Sequence, residues 1–269
     1  MLQEPQLSPY DLQFTLVRFH VRVAWGFWIL AAVLGWEYVQ VIDSAYARLD
    51  GGSPGAAGLL IVWAGSLFLS ILVHELGHSL MHSLYGMDSR IVLYHFGGLA
   101  IPGSFSAWNA ARRRFADRPK EQILISLAGP GAQLLLAVVV WSVATAFHID
   151  LGLTRFIERF VDLPIPDRQV TDSAMLYVLT DALVTQSVYW ALLNLLPILP
   201  LDGGNVLREL LRMFGARDVW RTTAMVSMIT AGGLGFFMFQ NGQPGAGLMC
   251  LSFVASNYQL YQAGGLGRF

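Results

Sequence analysis

Inside a long apolar stretch stands His74-Glu75-Leu76-Gly77-His78, a match to the H-E-x-x-H pattern. On a helix, two histidines four residues apart share one face and can ligate a single ion. Glu75 then lies about 100° round from His74, within reach of a water beside that ion. Two ligands and a base are the working parts of metal-assisted hydrolysis. The plainer alternative is a polar packing cluster. Against it stands the cost of placing Glu and two His in an apolar span, where ionisable groups face a cavity or one another. Chance alone yields the pattern in a chain of this length on the order of one time in a hundred.

A catalytic zinc takes three protein ligands and keeps a position for water. A third ligand is offered by Asp202, in the run Asn194-Leu195-Leu196-Pro197-Ile198-Leu199-Pro200-Leu201-Asp202-Gly203-Gly204. The prolines break a helix and the glycines permit sharp turning, which predicts Asp202 on irregular backbone. Alone, Asp-Gly-Gly after a helix is equally a plain turn. Its conjunction with His74 and His78 favours one shared metal.

The elements that must position these residues follow from composition. Of 269 residues, 55% are hydrophobic and only 13% charged, with a mean hydropathy of +0.52, the balance of a membrane protein. Six apolar runs, about 21–42, 59–85, 122–147, 174–199, 222–240 and 244–261, are each long enough to cross a hydrocarbon core. Spanning segments must satisfy their own backbone, so the runs are read as helices. The predicted fold is all-α and polytopic, with about six transmembrane helices. Between the second and third, Ile91–Ala100 leads into Gly97 and Gly98, then Pro102 and Gly103, the pattern of a short membrane-associated strand or hairpin. The 148–173 connection predicts one short interfacial helix. No soluble domain is expected: residues 1–269 form one membrane domain, with the catalytic core at about 59–207.

With the N-terminus inside, thirteen of the seventeen Lys and Arg fall on the inner side, so both termini are predicted cytoplasmic. His74 and His78 then lie about 18 and 12 Å from the inner end of their helix, at roughly 1.5 Å per residue. Such a buried site needs a protein-lined opening for water. The net charge of −1 gives nucleic acid no broad basic surface. Arg112, Arg113 and Arg114 are expected to meet anionic headgroups of the bilayer. Cys250 has no partner for an intrachain disulfide.

H-E-L-G-H in one membrane run and N-L-L-P-I-L-P-L-D-G-G in another resemble the site-2 protease family of intramembrane zinc metalloproteases, over the second to fourth runs. The resemblance implies a three-helix core in which His74, His78 and Asp202 hold one Zn2+ per chain and Glu75 activates the water. It gives Asn194 a catalytic, substrate-orienting or oxyanion-side role. Ser126-Leu127-Ala128-Gly129-Pro130 is similar to the family's third-helix pattern, with Gln133 where an asparagine is usual. Gly97 and Gly98 match the strand that pairs with unwound substrate, a device that satisfies the backbone of an extended peptide. The implied substrates are single-span membrane proteins, cut in regulated intramembrane proteolysis, and the expected location is a prokaryotic plasma membrane. The PDZ and nucleotide-sensing modules of many relatives are not expected here. His82, one turn beyond His78, and His95, beside the strand, are secondary candidates to touch the metal or gate the site. Two other classes stay open: a helical metal transporter, which would not need a base beside its first ligand, and a non-catalytic membrane scaffold.

Overall fold

A computed structural model describes residues 5–49, 52–95, 97–105, 118–160 and 171–263. In chain order the elements are β1 (Leu12–Leu16), β2 (Phe19–Val23), α1 (Trp25–Tyr46), α2 (Ala56–Leu84), β3 (Met87–Tyr94), β4 (Gly97–Phe105), α3 (Pro119–Ala146), α4 (Gly152–Glu158), α5 (Ala174–Asn194), α6 (Asp202–Met213), α7 (Val219–Gln240) and α8 (Pro244–Gln262). Five helices, α1, α2, α3, α5 and α7, are long and apolar enough to cross a membrane, which makes this a multi-pass membrane protein. Their outward faces carry Ile61, Ile229 and Phe236, each more than 60% exposed, as expected where lipid replaces water.

The sixth apolar run is a helix, α8, but it does not reach the apolarity of the other five. Ser252, Ser256, Asn257 and Gln259 dilute it. It packs along α7, with Gly235 against Cys250.

The all-α expectation needs correcting, because a four-stranded sheet accompanies the mostly helical fold. Its order is β1-β2-β3-β4, with β1 and β2 antiparallel, β2 and β3 parallel, and β3 and β4 antiparallel. The β3–β4 hairpin lies between the second and third apolar helices. The β1–β2 hairpin departs from the sequence reading: Val21 and Val23 belong there to the first apolar run, yet they pair with Ile91 and Leu93 of β3, seventy residues away. Arg22 locks this hairpin down. Its guanidinium is 2.7 Å from Asp11 and donates to the carbonyls of Pro5 and Gln6 at 3.0 and 2.6 Å.

Helix α2 is the axle of the fold and packs against α1, α3, α5 and the two strands of the β3–β4 hairpin. Its contacts with α1, the sheet and α5 form the main core, around Phe27, Leu59, Trp63, Ile71, Ile91, Leu93 and Val178. On its other face Gly77 lies so close to the Ala128 backbone of α3 that no side chain could fit. That approach brings α3 alongside His74 and His78. The expected short helix of the 148–173 connection is α4. Beside it Asp181 is buried and accepts hydrogen bonds from the Tyr38 hydroxyl and the Gly152 amide, both at 2.7 Å. Arg112, Arg113 and Arg114 lie outside the described residues.

Candidate metal centre

Helix α2 carries His74 and His78 on one face, both buried, and the start of α6 brings Asp202 to them. The two imidazole Nε2 atoms are 3.1 Å apart, and Asp202 Oδ2 is 3.1 Å from His74 Nε2 and 3.4 Å from His78 Nε2. A tetrahedral zinc with bonds of about 2.0–2.1 Å needs donors separated by roughly 3.3 Å, so this triangle fits that ion.

Outer contacts fix which ring nitrogens are free. His78 Nδ1 lies 2.7 Å from the Ile125 carbonyl, which can only accept. Its proton must therefore sit on Nδ1, leaving the Nε2 lone pair for a metal. His74 Nδ1 is 3.0 Å from the side-chain oxygen Oε1 of Gln133 on α3. With a proton on each Nδ1, two imidazoles and a carboxylate can aim three lone pairs at one point, the donor set of a divalent cation.

The setting of Asp202 differs from the irregular backbone expected of it. Asp202 is the first residue of α6, and Gly203 and Gly204 belong to its first turn. The glycines are needed for room rather than for turning. A Cβ on Gly203 would run into the carbonyls of Leu195 and Leu196, and one on Gly204 would lie 2.5 Å from the Ile198–Leu199 peptide. The loop is held from behind by residues that the sequence did not single out. Leu199 N donates to Ser227 Oγ of α7 at 3.0 Å, and Asn257 Nδ2 of α8 donates to the Leu199 carbonyl at 2.7 Å. Lone polar residues in otherwise apolar runs are the signal the sequence offers for them.

Glu75 is buried and takes a hydrogen bond from the Ala100 backbone of β4. Gly98, also on β4, presses on the Glu75 side chain where a Cβ would overlap its carboxylate. Gly97 has φ +117°, a conformation open to glycine, and a Cβ there would meet the Trp190 ring at 2.6 Å. On α3, Gly129 leaves space for both imidazoles: its Cβ would collide with His78 Nε2 and lie 2.8 Å from His74 Nε2.

A cavity of about 300 Å3 opens onto the triad, lined by Glu75, Gly98, Ala100, Trp190 and Asn194 among others. Asn194, the last residue of α5, donates one amide proton to the Trp190 carbonyl at 3.0 Å. His82 shares the cavity, buried, with no hydrogen-bond partner at Nδ1 among the described residues. His95 lies elsewhere, in a pocket with Asp11 and Trp25. Among the described residues, His74, His78 and Asp202 are the group whose ligand atoms all converge within 4.8 Å.

The sequence profile of peptidase family M50 matches residues 62–238. A putative zinc metalloprotease of Synechocystis sp. is 31% identical over 77% of this chain and 43% of its own length. The putative zinc metalloprotease Rip3 of Mycobacterium tuberculosis is 26% identical over 72% of this chain and 41% of its own. The chain thus spans less than half the length of these curated relatives. A solved structure titled Site-2 Protease from Methanocaldococcus jannaschii aligns with a TM-score of 0.42 and 19% identity, covering 96% of this chain and 94% of that one.

Proposed function

Because this chain belongs to peptidase family M50, the site-2 protease family, we propose that it is a zinc metalloprotease that hydrolyses peptide bonds within or near transmembrane segments of single-span membrane proteins. One observation carries the reading: a base, Glu75, stands beside a zinc-shaped donor triad, in a cavity set among apolar helices. Transport would need the donors but not the base.

Zinc held by His74, His78 and Asp202 would supply Lewis acidity, drawing the pKa of a water toward about 7 and polarising the scissile carbonyl. Glu75 accepts the proton of the attacking water and passes it to the leaving nitrogen, without an acyl-enzyme. Asn194, at the cavity wall, orients the substrate or stabilises the developing oxyanion. A helical peptide bond is shielded by its own hydrogen bonds, so the substrate must unwind. Strand β4 is an edge of the sheet and borders Glu75 through Gly98 and Ala100, which suits it to receive the extended segment as a fifth strand. Gly97 and Gly98 let this strand run close against Trp190 and Glu75.

This activity belongs in regulated intramembrane proteolysis at a prokaryotic plasma membrane. Both termini would be cytoplasmic, in keeping with the Lys and Arg bias, with α8 completing a sixth crossing.

The test is reconstitution in liposomes with a labelled single-span protein, the fragments being located by mass spectrometry. Cleavage within or next to the span, stopped by a zinc chelator and restored by zinc, is the expected outcome. Cleavage indifferent to chelation, or zinc flux without cleavage, contradicts the proposal.

A further inference from the structure

Behind the triad runs a buried chain of hydrogen bonds across three helices. Gln133 Oε1 of α3 faces His74 Nδ1 at 3.0 Å, Gln133 Nε2 donates to Ser70 Oγ of α2 at 2.8 Å, and Ser70 Oγ is 2.9 Å from Ser187 Oγ of α5. Gln133, Ser70 and Ser187 are all fully buried, at 0% exposure. No water competes for these groups, so each must be satisfied by the others.

We propose that Gln133 is a positioning residue which holds His74 in the tautomer that binds metal, and that Ser70, backed by Ser187, keeps the Gln133 amide turned the right way. An imidazole can offer Nε2 to a metal only when its proton is on Nδ1, and that proton needs an acceptor. For His78 a backbone carbonyl does this and cannot be reversed. For His74 the acceptor is a side-chain amide, which can. Reversal would set Nε2–H against His74 Nδ1 and force the proton onto the ring nitrogen that faces Asp202. Ser70 disfavours this when its own proton is given to Ser187 Oγ, because its oxygen can then only accept, and it accepts from Gln133 Nε2.

This inference rests on the zinc site proposed above, and its test reads zinc affinity rather than hydrolysis. The full chain in detergent is titrated with zinc against a chromophoric chelator, with helical circular dichroism as the check on folding. Gln133→Leu is expected to weaken zinc about 10–100-fold, the usual effect of losing a partner of a metal-bound histidine. Gln133→Glu, whose carboxylate presents an acceptor whichever way it turns, restores affinity to within about 3-fold of native on the same scale. Ser70→Ala weakens zinc in the native background and has little effect in the Gln133→Glu background, where no amide remains to be turned.

Zinc binding by Gln133→Leu within 2-fold of native, about 0.4 kcal/mol, overturns the inference. So does a Gln133→Glu variant as weak as Gln133→Leu, because shape rather than acceptance would then be at issue. If Gln133→Leu does not fold, the Ser70 pair decides, and an equal cost in both backgrounds overturns the relay. A native chain that binds no zinc overturns the site itself and the relay with it. Native binding with an unaffected Gln133→Leu variant removes the relay alone.

Discussion

The Asn257 side-chain amide donates a 2.7 Å hydrogen bond to the Leu199 carbonyl, so the last helix holds the loop that delivers Asp202 to the two histidines. The same amide nitrogen is 2.8 Å from the Phe253 carbonyl, and the residue is fully buried. Asn257→Ala should therefore deprive the buried Leu199 carbonyl of this donor and cost about 1–3 kcal/mol of stability. Weaker zinc binding should accompany a lower melting temperature. A melting curve and a zinc titration check this together; unchanged values in both would detach α8 from the site.

Two glycines at the site should fail in different ways. Gly129→Ala puts a methyl group against His74 and His78, and should abolish zinc binding in a folded protein. Gly98→Ala presses on Glu75 instead, and should leave zinc in place while slowing cleavage by at least about 10-fold, or 1.4 kcal/mol of barrier. Zinc content and cleavage rate, measured on both variants, separate the two effects.

Gly203→Ala and Gly204→Ala force a side chain into the backbone of the 195–199 loop, and should displace Asp202 with loss of zinc. Gly233→Ala on α7, which meets nothing within 4 Å, is the control. There alanine should be neutral or stabilising by about 0.4–1 kcal/mol. Zinc analysis of the three variants, with melting temperatures, tests the view that the Asp-Gly-Gly glycines serve close packing.

The metal chemistry was legible in the sequence because its signal is local. His74, Glu75 and His78 follow from helical periodicity alone, and Asp202 from its setting in the second motif. What escaped depends on contacts distant in sequence. Val21 and Val23 read as the start of a membrane run until their parallel pairing with Ile91 and Leu93 is known. Ser70, Ser187, Ser227 and Asn257 are lone polar residues in apolar helices, and only packing shows that they face Gln133 and Leu199. The first turn of α6 was misassigned because glycine-rich sequence suggests a turn, whereas here it admits a neighbouring backbone.

Acid should loosen the N-terminal hairpin first. Burial raises the Asp11 carboxyl, but hydrogen bonds from Ser8, Arg22 and Trp25 and the charge of Arg22 outweigh it, so its folded pKa lies below the ordinary value. A depressed folded pKa contributes stability that is present above the unfolded value, about 3.9, and is lost as pH falls through the folded one. Hydrogen exchange of residues 12–23 should accelerate over that range, and Asp11→Asn should show the acceleration already at neutral pH. Equal protection in native and variant chains would remove Asp11 from this role.

The central claim is most directly tested by Glu75→Gln, with zinc content and cleavage of a single-span substrate measured on one preparation. The variant should keep one zinc per chain and lose cleavage by about 10²–10⁴-fold, the usual contribution of a general base. A variant that retains its zinc and still cleaves at the native rate would contradict the assignment of Glu75 as that base.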